Sequence, residues 1–325
     1  MQAIVSTKYG SPDVMQLQEV ERPTPKDDEV LVKVFAAGVN AADWRWLRGD
    51  PLVGRLMYGL LAPKNPILGA DIAGLVEAVG AKVTAFKPGD AVFGDISAGG
   101  FGGFAEYVCA RADALALKPA NITFEQAAAV PMAAVTALQG LRTTGKIQPG
   151  QKVLVNGASG GVGTFAVQIA KSFGAEVTAV VGPRNVAQAR SIGADHIIDY
   201  TEEDFTQNGQ QYDLILAANG YQSIPAYKRA LSPAGMYVMT GGTDAQMFQA
   251  MLLGPWLFRS GTQKMGNGGA GPNQTDLAFI QALLEAGQVV PVIDRCYPLS
   301  QVPDAIRYLE EGHARGKVVI TVARA

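Results

Sequence analysis

The chain has little of what most metal, disulfide or nucleic-acid chemistry requires. Among 325 residues there are 2 histidines and 2 cysteines. Cys109 and Cys296 cannot form a disulfide framework; they read as small, buried or half-buried strand residues in a reducing setting, and a cytoplasmic location is the expectation. Charge of either sign is not in excess: 27 Lys and Arg stand against 29 Asp and Glu, a net of −2. With no long basic stretch, neither nucleic acid nor an anionic membrane surface is an indicated partner. Long apolar runs are missing as well. The longest, 127–138, is interrupted by Pro131 and falls short of a bilayer span. The opening MQAIVSTKYG alternates straight into a strand pattern, without the charged and apolar regions of a signal peptide.

What is present is an ordinary globular balance, 48% hydrophobic and 17% charged, with 38 glycines. At roughly 100–200 residues per domain the length predicts about two domains. The first part is rich in β signals. Segments 3–5, 14–19, 30–37, 74–79, 91–93 and 104–108 alternate or carry β-branched residues, punctuated by Pro23, Pro25, Asp27-Asp28 and Pro88-Gly89-Asp90. They predict an antiparallel, barrel-like domain. From Thr123 a helix start leads into an Ala-rich segment. Strand and helix then alternate strictly, with strands at 152–156, 176–181, 196–199, 212–216 and 236–240 and helices at 163–173, 186–192 and 224–231. That order predicts a parallel sheet with helices on both faces. Past Gly241 the alternation is expected to end. Residues 254–271 read as loop or broken strand, helices follow at 276–286 and 302–311, and a last strand at 318–322 returns to the first domain.

The strongest local motif is Lys152-Val-Leu-Val-Asn156, then Gly157-Ala-Ser-Gly160-Gly161-Val-Gly163, then a helix. A buried strand, a glycine-rich turn and an immediate helix start let backbone N–H groups and the positive end of the helix dipole meet a pyrophosphate. The triplet Ala158, Gly160, Gly163 lacks its first glycine, whereas Gly157, Gly160, Gly163 is intact. The βαβ context is present on both sides, as the motif requires. Gly157, Ser159, Gly160, Gly161, Val162 and Gly163 are therefore candidate cofactor-binding residues.

An NAD-preferring site carries an acid at the end of the second strand for the ribose 2′-hydroxyl. Here that strand ends at Gly182, followed by Pro183, Arg184 and Asn185. A guanidinium pairs with a 2′-phosphate that a carboxylate would repel. Gly182, Arg184, Asn185 and, at the end of the third strand, Tyr200 form the candidate adenosine end, and NADP(H) is the expected cofactor. Asn219, Gly241 and Gly242 end later strands at the C-terminal edge of the sheet, where open α/β sheets bind ligands.

Several segments, in this order, resemble the medium-chain dehydrogenase/reductase superfamily over nearly the full length. They are Ala37-Gly38-Val39-Asn40-Ala41-Ala42-Asp43, Leu68-Gly69-Ala70-Asp71-Ile72-Ala73-Gly74, Val79-Gly80, Pro88-Gly89-Asp90-Ala91-Val92, the phosphate loop and Glu311-Gly312-His313-Ala314-Arg315-Gly316-Lys317-Val318-Val319. The resemblance implies an α/β fold in which a Rossmann doubly wound parallel sheet is inserted into a GroES-like β-barrel catalytic domain. The expected boundaries are 1–120 and 266–325 for the catalytic domain and 121–265 for the NADP-binding domain. The family also implies a cofactor held between the domains, contact of Thr136 with the nicotinamide, and usually a dimer or tetramer.

Zinc alcohol dehydrogenases of the superfamily carry their metal ligands at positions that correspond here to Asn40, Ala70 and Met132, none of which is a usual zinc ligand. Zinc catalysis needs about three protein ligands among His, Cys, Asp and Glu. No metal site is expected, and the chain resembles the zinc-free quinone oxidoreductase branch. That resemblance implies hydride transfer from NADPH to quinones or α,β-unsaturated carbonyls, whose charge settles on an oxygen that needs only a hydrogen-bond donor or a proton. Asn40, through its amide, and Asp43 are the catalytic candidates. Relatives often place Tyr two residues after this Asp; here it is Arg45, so solvent is the alternative proton source. Trp44, Trp46 and Tyr58 are candidates for an aromatic slot, and equally for core. The competing readings are an NADPH-binding sensor or scaffold without turnover and, less favoured, a zinc alcohol dehydrogenase. A homodimer is expected, on the assumption that 237–239 is an exposed apolar edge strand.

Overall fold

Alternating β-branched residues build the first part of the molecule. In the computed structural model, which describes residues 1–50, 55–220, 222–242, 244–259, 261–269 and 271–323, β1 (Gln2–Val5) pairs antiparallel with β2 (Gln16–Glu19). The long β3 (Glu29–Val39) is the centre of a seven-stranded sheet. It pairs antiparallel with β4 (Asp71–Val79) and with β6 (Tyr107–Arg111), and β4 pairs with β5 (Ala91–Asp95), which pairs with β7 (Leu115–Leu117). Irregularities in the β3–β4 register between Leu31/Val32 and Val34/Ala36 mark where the ladder bends. On the other side β15 (Lys317–Thr321) lies antiparallel to β3 and parallel to β14 (Ile293–Pro298). Val30, Val32, Val34, Ile72 and Val92 fill one core cluster, each worth roughly 1.5–3 kcal/mol if fully buried.

Two compact units emerge, residues 1–132 with 271–285 and 291–325, and residues 133–270 with 286–290. The first unit continues to Met132 instead of stopping at 120. The reason is local: Thr123 caps α3 (Phe124–Ala128) in a reciprocal box with Gln126, and the Phe124 ring stacks on Phe35 of β3 at 4.6 Å. Pro131 opens α4 (Pro131–Leu138), and a π-helical turn follows at Gln139–Thr144. The Ala-rich segment is thus several short pieces. At its C-terminal edge the second unit extends to residue 270, beyond the expected 265.

The second unit holds a six-stranded sheet whose neighbours are all parallel. Its strands are β8 (Lys152–Asn156), β9 (Glu176–Val181), β10 (His196–Asp199), β11 (Tyr212–Ala217), β12 (Leu231–Met239) and β13 (Lys264–Asn267), in the order β10-β9-β8-β11-β12-β13. Counted from β8 this is the 3-2-1-4-5-6 order of dinucleotide-binding sheets. The helices α5 (Gly161–Ser172), α6 (Val186–Ser191) and α7 (Ile224–Ala230) fall close to their expected places.

The expectation that alternation ends past Gly241 does not hold. Helix α8 (Asp244–Leu257) and β13 continue it. Gly254 and Pro255 read as breakers, yet they sit in the last turns of α8. The helix also has no polar face to give a helical period, and Phe248, Met251, Leu252 and Trp256 are exposed. The assumed exposed edge at 237–239 is also corrected: Tyr237 and Val238 are fully buried, because β13 covers β12. Towards the C-terminus, α9 (Gln274–Glu285) and α10 (Val302–Glu310) belong to the first unit, as does β14, anticipated from the sequence only in that Cys296 reads as a strand residue. Among the described residues α1 (Ala41–Arg48) and the short α2 (Arg55–Tyr58) complete the α-helices. The side chain of Tyr58 lies outside the described residues. Cys109, in β6, is half-buried, whereas Cys296, in β14, is exposed instead of buried; both are free.

Candidate active site

The nucleotide-type loop follows β8. Gly157 has φ +78, a left-handed conformation strained for any side chain, and an added Cβ would lie 2.7 Å from the Asn219 backbone nitrogen. At Gly163 an added Cβ would meet the Gly157 carbonyl oxygen at 2.1 Å, so this glycine lets α5 close onto the loop. Gly160 differs: its Cβ would find only the Gly157 oxygen at 3.6 Å, open space in front of the helix start. The first backbone bond at this end runs from Thr164 N–H to the Gly160 carbonyl, 2.9 Å. The N–H groups of Gly161, Val162 and Gly163 precede it and have no intrahelical acceptor by the geometry of a helix start. The structure therefore selects the spacing Gly157, Gly160, Gly163 over the one beginning at Ala158. Ser159 and Val162 lie half-buried on the same turn. This cradle fits a pyrophosphate.

The strand ends converge around it. Asn219 N–H and Ala218 N–H donate to the Asn156 carbonyl at 3.2 and 3.0 Å, which ties the end of β11 to the end of β8. The Asn156 side chain donates to the Tyr227 hydroxyl at 2.7 Å, a buried anchor below the loop that sequence reasoning missed. Gly241 packs on the Ala218 carbonyl and Gly242, at φ +132, faces Gln246. At the far end of β9, Gly182 lies under Tyr200, whose hydroxyl is 3.0 Å from where a Gly182 Cβ would be. Arg184 and Asn185 occupy the adjoining 3-10 turn, Arg184 exposed, with Asn185 N–H donating to the Gly182 carbonyl at 2.9 Å. Gly182, Arg184, Asn185 and Tyr200 are thus brought together. Thr136, half-buried in α4, has its methyl 3.7 Å from where a Gly269 Cβ would be, so the glycine-rich stretch 266–269 runs past it.

Asn40 and Asp43 lie in the first unit, at the start of α1. The Asp43 carboxylate accepts from Asn40 N–H at 2.7 Å and from Gly69 N–H at 3.2 Å. Asp43 is thereby a brace between two motif segments, fully buried, and burial pushes its carboxyl up to about 7. The Asn40 side chain turns inward. Its Nδ2 donates to Asp71 Oδ2 at 3.0 Å and its Oδ1 accepts from the Lys317 ammonium, which also donates to the Val39 carbonyl at 3.2 Å. The second Asp71 oxygen accepts from Met132 N–H at 3.0 Å, and Lys317 Nζ lies 3.7 Å from Asp71 Oδ2. Burial raises the Asp71 carboxyl, against the pull of Lys317, and burial lowers the Lys317 ammonium, against the pull of Asp71. Asp95, also buried and shifted upward by desolvation, accepts from Ser97 N–H at 2.9 Å. Sequence reasoning missed both Lys317 and Asp71. The only available signal was that both sit in family-like segments.

Trp44 and Trp46 pack partly against the core of the first unit, and the Trp46 ring meets that of Phe101 at 4.9 Å, tilted by 59°. Arg45 lies over the Trp44 ring at 5.0 Å. His196 pairs with Glu176 on the surface, and His313 is exposed.

Comparison with known proteins agrees with this geometry. Residues 26–120 match the family described as alcohol dehydrogenase GroES-like domain, and residues 192–320 the family described as zinc-binding dehydrogenase. The chain is 36% identical to the 2-methylene-furan-3-one reductase of Solanum lycopersicum, over 98% of this chain and 79% of the relative. It is 34% identical to the chloroplastic NADPH-dependent alkenal/one oxidoreductase of Arabidopsis thaliana, with the same coverage. The solved quinone oxidoreductase of Coxiella burnetii superposes with a TM-score of 0.87 at 29% identity, covering 99% of each chain. The chain belongs to the medium-chain dehydrogenase/reductase superfamily, in its quinone oxidoreductase branch, and its dinucleotide-binding sheet is that of a nicotinamide-dependent oxidoreductase. Zinc, which one family description implies, does not fit the donor set. Asn40, Ala70 and Met132 are not zinc ligands, and among the described residues no group of His, Cys, Asp and Glu side chains could hold a metal ion.

Proposed function

We propose that the chain is an NADPH-dependent reductase that transfers hydride to quinones or α,β-unsaturated carbonyls without zinc. The observation that carries this reading is the open glycine cradle after β8 of the second unit; in the first unit, a buried Asn–Asp–Lys cluster stands where metal-dependent relatives carry ligands. Bound nicotinamide cofactor supplies the hydride. The N–H groups of Gly161, Val162 and Gly163 hold its pyrophosphate, with Ser159, Gly157 and Gly160 shaping the approach. Arg184, with Asn185, Gly182 and Tyr200, receives the 2′-phosphate, and the absence of an acid at the end of β9 removes the repulsion an acid would impose. Thr136, Asn219, Gly241 and Gly242 line the sheet edge towards the nicotinamide. Asn40 donates a hydrogen bond to the acceptor oxygen that takes up charge, Asp43 holds the Asn40 backbone in place, and solvent supplies the proton.

We further place the chain in the cytoplasm as a homodimer. The free thiols agree with a reducing compartment, and no helix among the described residues is long and apolar enough to cross a membrane. The exposed apolar side chains of α8, beside edge strand β13, support the dimer. The domain boundaries of this reading follow the two units, with the dinucleotide-binding part at 133–270.

One observation favours a second reading, a binding protein without turnover: both polar ends of the Asn40 amide are engaged by side chains of the chain itself. The deciding assay follows NADPH and NADH oxidation against quinones, 2-alkenals, enones and simple aldehydes, with and without chelator. Turnover of conjugated acceptors with NADPH, untouched by chelator, is the expected result. Tight NADPH binding with silence across the panel would replace the reductase by the binding protein, and chelator-sensitive turnover would restore zinc.

A further inference from the structure

Three neighbouring strands place one buried cation beside Asn40. In the antiparallel ladder Val318 faces Val39, so Lys317, at the start of β15, stands beside Asn40, at the end of β3. In the next ladder Gly38 faces Asp71. The Lys317 side chain is 3% exposed and that of Asp71 is fully buried. A lysine so enclosed is costly unless its protons and charge are matched. Here they are, by Asn40 Oδ1, the Val39 carbonyl and the Asp71 carboxylate.

We propose that Lys317 is a positioning residue of the site, a fixed internal cation that sets the orientation of the Asn40 amide at the place where zinc-dependent members of the superfamily carry their metal. An ammonium only donates, an ionised carboxylate only accepts, and an amide has one end of each kind. Between Lys317 and Asp71 the Asn40 amide satisfies both neighbours in one orientation; flipped, it would set NH₂ against ammonium and oxygen against carboxylate. Lys317 therefore decides that Nδ2 is the end beside Asp71. Nδ2 carries two protons. One goes to Asp71 at 3.0 Å, and the other has only the Gly38 carbonyl at the 3.5 Å limit of a hydrogen bond. That second proton is the one available to an acceptor oxygen. The inference rests on the reading of Asn40 as the acceptor's hydrogen-bond donor.

The test uses the full chain with NADPH. Lys317→Met removes the charge at similar length, and Lys317→Arg keeps it. Lys317→Met is expected to lower kcat by roughly 10- to 100-fold, the scale of losing an oriented donor, while the KM for NADPH stays within about two-fold. Lys317→Arg should recover part of kcat. Because Lys317→Met leaves Asp71 buried without its partner, Asp71→Asn/Lys317→Met serves as a folding control: its melting temperature should recover while its kcat does not. An activity-independent arm follows the Asn40 side-chain NH₂ signals by NMR, assigned by their loss in Asn40→Asp. They should exchange slowly in the wild type and quickly in Lys317→Met. Wild-type kcat in Lys317→Met, or recovery of kcat together with melting temperature in the double variant, would overturn the proposal. If the wild type turns over no acceptor, the reductase reading fails by itself, and the NMR arm alone decides the orientation: unchanged Asn40 signals in Lys317→Met overturn it.

Discussion

The two units hold their polar groups in opposite ways. In the second, the loop after β8 presents backbone N–H groups, and its essential residues are defined by what they lack: a Cβ at Gly157, Gly160 and Gly163. In the first, the polar groups are ionisable side chains sealed in the core, Asp43, Asp71, Asp95 and Lys317 around the Asn40 amide. A backbone cradle is made by a few consecutive residues and tolerates change in most side chains around it. A buried side-chain network fails as a unit, because removing one member strands the others without water. The second unit should therefore be sensitive at single glycines, and the first at single charges.

The sharpest way to break that comparison is at its two extremes. Gly163→Val would drive a side chain into the Gly157 carbonyl, and loss of NADPH binding by more than about 100-fold, or failure to fold, is expected. Gly160→Ala has room for its methyl, so the melting temperature should hold while NADPH affinity, read by fluorescence titration, falls. If both variants bind alike, the loop is an ordinary turn.

Next in size is the stability of the buried network. Asp71→Ala leaves the Lys317 ammonium uncompensated, and chemical denaturation should show a loss of about 3–5 kcal/mol. Arg184→Ala comes third. A charge-assisted contact to the 2′-phosphate predicts a loss of about 1–3 kcal/mol for NADPH and little for NADH. Equal losses for both cofactors would remove Arg184 from the site.

A pH effect sharpens the contrast further. The folded Asp43 carboxyl titrates at about 7 against an ordinary 3.8, so over this window the native state keeps a proton that the unfolded chain has released. Its contribution to stability is full below the unfolded value and is lost as pH rises through the folded one. Burial shifts Asp95 in the same direction. Stability measured by denaturation should fall between about pH 4 and 7, and Asp43→Asn should flatten that slope. A slope unchanged in Asp43→Asn would assign the effect elsewhere. The smallest effect belongs to the surface: His196→Ala breaks an exposed pair with Glu176 and should cost about 0–1 kcal/mol.

Much of this molecule is written in contiguous stretches, and those parts were legible. Lys152-Val-Leu-Val-Asn156, the glycine run and α5 form one continuous signal, because a strand, a tight turn and a helix start are local events governed by backbone sterics. The alternation after it fixed the parallel sheet for the same reason, and Gly182, Arg184 and Tyr200 lie together because strand ends fall at countable positions. The failures have physical causes too. Helix α8 carries no amphipathic period, and β14 has neither a clean alternation nor a burial pattern that separates it from a loop. The edge of the sheet was misplaced at 237–239 because strand order is set by packing, not by chain order.

By itself, then, the sequence determined the class of fold, the glycine-rich turn after β8 and the residue types at positions 40, 70 and 132, each of which depends on residue type and short-range spacing. Only the tertiary structure decided what the Asn40 side chain touches. Its partners lie 31 and 277 residues away, and no periodicity links them. They meet because β15 and β4 flank β3 in a fixed register, and because a buried ammonium and a buried carboxylate are tolerable only beside each other.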